Sequence, residues 1–188
     1  MSKLGNLYDF IYAKICGKDA HLNIFHFQYL ATYQLHADLK NILCTVSAEN
    51  VLDLGCGNKP YKDFFLSYKS YIGADILPAK GVDVVLDDPT KLPFENEMFD
   101  FVLSTQVFEH VEDLTLLSEV YRVLKKNGVF LISVPFLYHV HNKYGLSALY
   151  KFRIIQYFIK AWVHRYSYNQ RRRDRKYFIY FISVFFGI

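Results

Sequence analysis

The stretch that decides the fold is Val51–Tyr61, which reads VLDLGCGNKPY. A short apolar run interrupted by one acid, Asp53, is followed by two glycines, Gly55 and Gly57, that are one residue apart. Such a run is typical of a buried strand that ends in a turn. Glycine in the turn lets the backbone approach a ligand closely. The stretch therefore predicts either a ligand-binding turn or a plain connection between a strand and a helix.

Strand and helix patterns alternate on both sides of this stretch. The helix patterns cover residues 22–46, 59–68 and the segment LTLLSEVYRVLKKNG, which ends at Gly128. The strand patterns are Val51–Leu54, Tyr71–Ile76, Val82–Leu86, Phe99–Thr105 and Val129–Phe136. The alternation predicts an α/β fold with right-handed crossovers and a mainly parallel sheet. In such sheets ligands bind beyond the carboxyl ends of the strands, where the strand order reverses.

The composition indicates one globular unit without a membrane span. The chain has 188 residues, of which 52% are hydrophobic and 21% charged, enough to build a core. The three cysteines, Cys16, Cys44 and Cys56, form no C-x-x-C pair, which favours a reduced, cytoplasmic protein. No run of about 20 uncharged apolar residues and no signal-peptide pattern is present.

The charge distribution divides the chain into a body and a tail. Residues 1–150, predicted to form the core with an N-terminal helix, hold 13 basic and 17 acidic residues. Residues 151–188 hold nine basic residues, one acidic residue and many aromatic residues, and we expect this tail to be helical. Residues 171–188 would suit peripheral contact with an anionic membrane or a protein partner. An altered C-terminus is the competing interpretation, and nucleic-acid contact through RRRDRK is weaker than either.

The residues around the glycines favour a cationic ligand over a dinucleotide. Pro60 stands where the fingerprint G-x-G-x-x-G needs its third glycine. Asp53 would oppose a pyrophosphate, which needs positive potential at this place. It suits a ligand with an ammonium group, as in S-adenosylmethionine. A dehydrogenase is therefore the least favoured class of enzyme.

Two further acids lie at the ends of the next strands. Asp75 ends the second strand, where a carboxylate can accept hydrogen bonds from both ribose hydroxyls. Asp88 ends the third strand and can accept from the exocyclic amine of an adenine. The alternatives are a solvated strand end for Asp75, and a turn residue before Pro89 for either Asp87 or Asp88.

Three segments taken together resemble a known family. VLDLGCGNKPY, YIGADI and DDPTKLPFENEMFDFVLSTQVFEHVEDLTLLSEVYRVLKKNGVFLISVPF follow one another as in class I S-adenosylmethionine-dependent methyltransferases. The chain is most similar to the methyltransferase type 11 branch, over about residues 30–137. This resemblance implies a Rossmann-like three-layer sandwich and S-adenosylmethionine as the cofactor. It also implies a set of cofactor-binding residues: Asp53, Gly55 and Gly57 beside the methionine, Asp75 at the ribose, Asp88, Pro89 and Thr90 at the adenine, Gln106 near the transferred methyl, and Ile76 as a further cofactor contact.

The catalytic residues are less well defined than the cofactor site. Methyl transfer is an in-line displacement that depends mainly on alignment. A base is needed only if the acceptor must lose a proton. Glu109 and His110 are the candidate catalytic pair, although a role in the pocket wall is favoured. His139 and His141 are candidate substrate contacts, and we expect no metal site because no further ligand is spaced to join them.

The chain departs from the family pattern after the fifth strand. The loop near residue 140 is short, and the two last strands of the usual seven are predicted to be missing, which would leave the edge of the fifth strand uncovered. Two classes of function follow. One is a methyltransferase acting on a small molecule, such as a sugar or another metabolite hydroxyl. The other is a non-catalytic cofactor-binding protein held to a membrane or partner by its tail.

Overall fold

The fold is an open α/β sheet, seen here in a computed structural model that describes residues 29–108, 110–111, 115–135 and 178–184. Two α-helices and one short 3₁₀ helix occur in these ranges: α1 (Tyr29–Leu43), the 3₁₀ helix (Lys62–Phe64) and α2 (Thr115–Val123). The strands are β1 (Ser47–Leu54), β2 (Ser67–Asp75), β3 (Val84–Val85), β4 (Phe99–Thr105), β5 (Leu124–Pro135) and β6 (Phe178–Val184).

The six strands run parallel in the order β3-β2-β1-β4-β5-β6. Val51 of β1 lies between Tyr71 of β2 and Phe101 of β4. The chain moves outward from β1 to β3 in one direction and then from β4 to β6 in the other. The order therefore reverses between β1 and β4, where open sheets of this kind bind ligands. The predicted α/β class with a mainly parallel sheet is confirmed.

Apolar side chains cover both faces of the sheet. On one face, Leu35, Leu39 and Leu43 of α1 are buried among strand residues that include Phe101 and Leu131. On the other face α2 buries Leu116, Val120 and Val123 against the sheet. The buried positions of α1 recur every four residues, which is the helical spacing that places side chains on one stripe. The result is the expected three-layer arrangement.

The predicted helix over residues 59–68 is wrong. Lys59 has a left-handed φ of 56°, and Phe65 is extended, so only Lys62–Phe64 forms one 3₁₀ turn. Beyond it the chain enters β2 at Ser67, which pairs with Ser47 of β1. Strand pairing and the packing of the aromatic rings of Phe65 and Tyr71 outweigh the helical spacing.

The ends of other helices and strands lie a few residues from the positions that the sequence predicts. The sequence predicts that the helix before the fifth strand ends at Gly128, but α2 ends at Val123 and β5 begins at Leu124. Leu124 is buried and pairs with Phe99 at the start of β4. Asn127 then takes a left-handed φ of 63°, which is incompatible with a continued helix.

The tail also differs from its prediction. Residues 151–188 were expected to be helical, and no strand was expected after the fifth, yet Phe178–Val184 forms β6. This strand pairs in parallel with residues 129–135 of β5. It covers the edge of β5 that the sequence suggested would be open. The rest of the tail, including the basic run of residues 171–176, lies outside the described residues, so its contact with a membrane or partner stays a prediction.

Neither α-helix in the described ranges is long and apolar enough to cross a membrane.

Candidate functional site

The turn after β1 adopts a backbone that favours glycine. Gly55 and Gly57 have φ values of 73° and 48°, a left-handed region that other residues enter at a cost of about 1–2 kcal/mol. A Cβ on Gly55 would lie 2.1 Å from Cγ2 of Val107, whereas a Cβ on Gly57 would meet no atom within 4 Å. Gly55 is thus packed against protein. Gly57 faces open space, which leaves room for a ligand beside the turn.

Asp75 holds this turn from the end of β2. Its Oδ2 accepts a hydrogen bond from the Gly57 amide at 3.0 Å, and its Oδ1 accepts one from the Leu77 amide at 3.2 Å. A carboxylate offers about four acceptor positions, so both oxygens can accept further bonds from a diol. The predicted ribose-binding acid and the glycine turn therefore lie side by side at the carboxyl edge of the sheet.

Asp53 lies beneath the turn and is almost fully buried. The hydroxyl of Tyr71 donates to its Oδ2 at 2.7 Å. Burial raises the pKa of this carboxyl from 3.8 to about 6, although the bond from Tyr71 and the charge of Lys59 oppose the rise. A charge so poorly solvated by protein would be stabilised by a cationic group in the space beside the turn.

Asp88 forms its own turn at the next position along the edge. Its Oδ1 accepts from both the amide and the hydroxyl of Thr90, at 2.8 and 2.6 Å. These bonds lower the pKa of Asp88 below its usual range. The neighbouring Asp87 is exposed. Asp88 thus takes the role of turn residue, and its remaining acceptor positions are available for the predicted contact with an adenine amine.

Arg122 of α2 fixes the segment that follows Asp88. Its guanidinium donates to the carbonyls of Leu92 and Phe94, to Oδ1 of Asn96 and to both carboxylate oxygens of Glu119. Glu119 in turn accepts from the Leu92 amide at 3.0 Å. Residues 92–96 are therefore held by one side-chain network rather than by a helix.

Gln106 and Ile76 border the same edge. Gln106 follows β4 and has a left-handed φ of 55°. Its backbone amide donates a hydrogen bond to the Ser133 carbonyl at 3.0 Å, and its side-chain Nε2 donates one to the Ser133 hydroxyl at 3.2 Å. A non-glycine residue held in this conformation is common at ligand sites. Ile76 follows Asp75 directly and exposes 55% of its surface, which gives this edge an apolar contact. Pro89 is also exposed here.

The structure describes only one of the four predicted catalytic or substrate-binding side chains. His110 is exposed in the turn after β4, where its amide donates to the Val107 carbonyl at 2.9 Å. Glu109, His139 and His141 lie outside the described residues. Within the described ranges no three His, Cys, Asp or Glu side chains form a group that could hold a metal ion.

Tyr71 and Tyr61 are site residues that the sequence analysis missed. Tyr71 could have been found, because a buried acid needs a donor and Tyr71 is the donor that β2 offers on the face of Asp53. Tyr61 is harder to foresee. Its hydroxyl shares a hydrogen bond with Thr105 at the end of β4, and burial raises its pKa to about 12.

A glycine turn after the first strand, an acid at the end of the second and a further acid at the third form the arrangement expected of a class I S-adenosylmethionine-dependent methyltransferase domain, and the site is similar to such a domain in this respect. The residues fit S-adenosylmethionine as the cofactor. The edge has open space at Gly57 and acceptors for ribose hydroxyls, and it carries carboxylates where a phosphate-binding site would need positive potential.

Comparisons with known proteins agree with this assignment. Residues 52–132 match the methyltransferase domain family, which confirms the resemblance seen in the sequence. A relative named as a probable phthiotriol/phenolphthiotriol dimycocerosates methyltransferase 2 from Mycobacterium ulcerans is 33% identical, over 58% of this chain and 44% of its own length. A relative named as a probable S-adenosylmethionine-dependent methyltransferase from Mycolicibacterium smegmatis is 32% identical, over 47% of this chain and 39% of its own length.

The chain thus spans less than half the length of these two curated relatives. Among solved structures, a SAM-dependent methyltransferase from Aquifex aeolicus matches with a TM-score of 0.51 and 18% identity, over 66% of this chain and 78% of that one. This structural likeness supports the fold.

Proposed function

We propose that this chain transfers a methyl group from S-adenosylmethionine to a hydroxyl of a small molecule, such as a sugar or another metabolite. The cofactor supplies a methyl carbon already activated by its sulfonium. The protein has to hold that carbon in line with the acceptor and keep both in place. Good alignment alone can account for roughly 7–11 kcal/mol of the barrier.

The observation that carries this proposal is the acidic edge of the sheet. Asp75 binds the glycine turn directly, and Asp53 lies buried beneath it. The carboxylate of Asp53 would repel a phosphate group beside the turn, whereas it would attract the ammonium group of S-adenosylmethionine. The family match over residues 52–132 supports the same choice of cofactor.

The proposed roles of the residues follow from their places. Asp75 and Ile76 would hold the ribose, Asp88 the adenine amine, and Asp53 with Gly55 and Gly57 the methionine part. Gln106 would lie beside the transferred methyl, with its side chain oriented by Ser133.

An attacking hydroxyl must also lose its proton. Glu109 and His110 are the proposed acid–base pair. His139 and His141 are proposed contacts of the acceptor. The printed name of the Mycobacterium ulcerans relative refers to a triol, which supports a hydroxyl as the acceptor.

The proposal can be tested by measuring S-adenosylhomocysteine release from S-adenosylmethionine in the presence of acceptor panels. The panels would separate sugars, phenols, aliphatic alcohols and amines. We expect release that depends on a hydroxylated acceptor and is lost in Asp75→Ala, with the exposed Asp87→Asn as the matched control. Release with amines alone would contradict the hydroxyl acceptor, and a chain that binds the cofactor but methylates none of the panels would contradict the activity.

A further inference from the structure

The glycine turn has little helix to hold it. In most folds of this kind a long crossover helix follows the first strand and fixes the turn. Here the segment between Gly55 and Ser67, described throughout, contains only the 3₁₀ helix Lys62–Phe64. Lys59, within this segment, has a left-handed φ of 56°. Side-chain contacts must therefore keep the turn in one conformation, and the bond from the Gly57 amide to Asp75 is one of them.

Lys59 provides such a contact by reaching across the sheet edge. Its ammonium forms an ion pair with Oδ2 of Asp83, which lies in the connection between β2 and β3. The same oxygen accepts a hydrogen bond from the Gly73 amide at 2.8 Å. The Lys59 side chain is only 12% exposed, while that of Asp83 is 48% exposed. A pair with one end so withdrawn from water is expected to be more than a solvated surface pair.

The two segments are also shaped to meet each other. A Cβ on Gly81 would lie 2.6 Å from the Gly57 carbonyl oxygen, and a Cβ on Gly73 would lie 2.4 Å from Cε of Lys59. The missing side chains at these two glycines make the close approach possible. The Lys59 ammonium also lies 5.7 Å from the ring centre of Tyr71. The ion pair is thus one part of a packed contact between the turn and the β2–β3 connection.

We propose that Lys59 and Asp83 are positioning residues that clamp the glycine turn in its cofactor-binding conformation, in place of a crossover helix. This inference rests on the proposed function. A turn fixed before the ligand arrives loses less conformational freedom on binding, so the clamp raises affinity without touching the cofactor. It also explains why residue 59 retains a left-handed backbone although it is not glycine.

Calorimetric titration with S-adenosylhomocysteine tests the clamp. Lys59→Asn removes the ammonium but keeps a residue that tolerates the left-handed backbone, and Asp83→Asn keeps an acceptor for the Gly73 amide. We expect each variant to bind roughly 5- to 30-fold more weakly than the wild type. The double variant should be no weaker than either single one, because both changes break the same pair.

Two controls separate positioning from general damage. Lys59→Arg keeps the ion pair and should bind within about threefold of the wild type, and Lys69→Asn, on an exposed position of β2, should bind like the wild type. If Lys59→Asn does not fold, Asp83→Asn carries the test alone, since Asp83 is half exposed. Unchanged affinity in Asp83→Asn, or additive losses in the double variant, would overturn the clamp. A wild type that does not bind the ligand at all would instead overturn the proposed function.

Discussion

At the scale of single residues, the buried Asp53 shows how the site departs from what folding alone would favour. A carboxylate in an apolar layer is costly unless it is paired. Here the donor is Tyr71, and the pKa of the carboxyl still rises from 3.8 to about 6. The native state therefore binds this proton more tightly than the unfolded chain does. The stability that results is complete below about pH 4 and is lost as the pH rises toward 6.

Replacing Asp53 by Asn should stabilise the protein and weaken ligand binding. An amide carries no charge to desolvate and can still accept the bond from Tyr71. We expect the free energy of unfolding at pH 7 to rise by about 1–3 kcal/mol. The decrease in this free energy between pH 4 and pH 6 should become smaller than in the wild type. Urea unfolding at several pH values measures both effects.

The same variant separates stability from function. Affinity for S-adenosylhomocysteine should fall, because the variant lacks the carboxylate that we propose to face the ammonium group of the ligand. Asp87→Asn, at an exposed position, should change neither property. A less stable Asp53→Asn protein at pH 7 would show that the buried charge is well solvated after all.

The two glycines of the turn should respond very differently to alanine. In Gly55→Ala the new methyl would lie 2.1 Å from Val107, so we expect a strong loss of stability, roughly 2–4 kcal/mol, from overpacking and backbone strain. Gly57→Ala has space for the methyl, and only the backbone strain of about 1–2 kcal/mol remains. Gly57→Ala should fold and lose ligand affinity, because its methyl occupies the open space.

A second substitution identifies the clash. In Gly55→Ala with Val107→Ala the nearest Val107 atom that remains, Cβ, lies 3.4 Å away, an ordinary contact. We expect this double variant to be more stable than Gly55→Ala alone, as measured by thermal unfolding. A double variant no more stable than the single one would contradict the packing of Gly55 against Val107.

At the scale of secondary-structure elements, side-chain networks replace helices in the connections. Residues 62–64 and 92–96 carry no α-helix, and the second segment depends on Arg122 and Glu119 of α2. Arg122 spans this segment because its planar guanidinium donates in several directions at once. A single residue of α2 thus supports the loop that follows Asp88.

Arg122→Lys should therefore not be conservative. Lysine keeps the charge but cannot reach the carbonyls of Leu92 and Phe94 and the carboxylate of Glu119 together. We expect the free energy of unfolding to fall by roughly 1–3 kcal/mol, measured by urea unfolding. Lys126→Gln, at an exposed position of the same region, is the control, and equal effects of the two substitutions would contradict the network.

The sequence predicts the elements that depend on local pattern. β1, β2 and β4, and the acids Asp53 and Asp75 at their ends, follow from apolar runs and turn residues, so the carboxyl edge could be located. The spacing of apolar residues could not show that residues 59–68 do not form a helix. The left-handed backbone of Lys59 and the pairing of Ser67 with Ser47 prevent a helix there. The pairing of Lys59 with Asp83 joins residues 24 apart and has no periodic signal.

At the scale of the whole molecule, the sheet extends through a strand that lies far along the chain. β6 pairs with β5 although more than 40 residues separate the two strands. Such a long-range parallel pair gives no local sign of its partner, which is why the sequence suggested a helical tail. β6 is the outermost strand on this side of the described sheet and covers the backbone of β5.

Truncation after residue 177 should expose the edge of β5. Unpaired backbone groups on a sheet edge promote self-association. We expect the truncated chain to sediment as larger species, whereas a chain that ends at residue 184, and so keeps β6, should behave like the wild type. Sedimentation velocity measures this. A truncated chain that remains as dispersed and as stable as the wild type would contradict the pairing of β6 with β5.

The central claim is that the carboxyl edge of this sheet binds S-adenosylmethionine through Asp75. The most direct test is calorimetric titration of S-adenosylmethionine and S-adenosylhomocysteine into the wild type, Asp75→Ala and the control Asp87→Asn. We predict binding to the wild type and the control, and binding weaker by roughly 1–3 kcal/mol in Asp75→Ala, because charged acceptors for the ribose are lost. A folded wild type that binds neither ligand, or an Asp75→Ala variant with unchanged affinity, would contradict the claim.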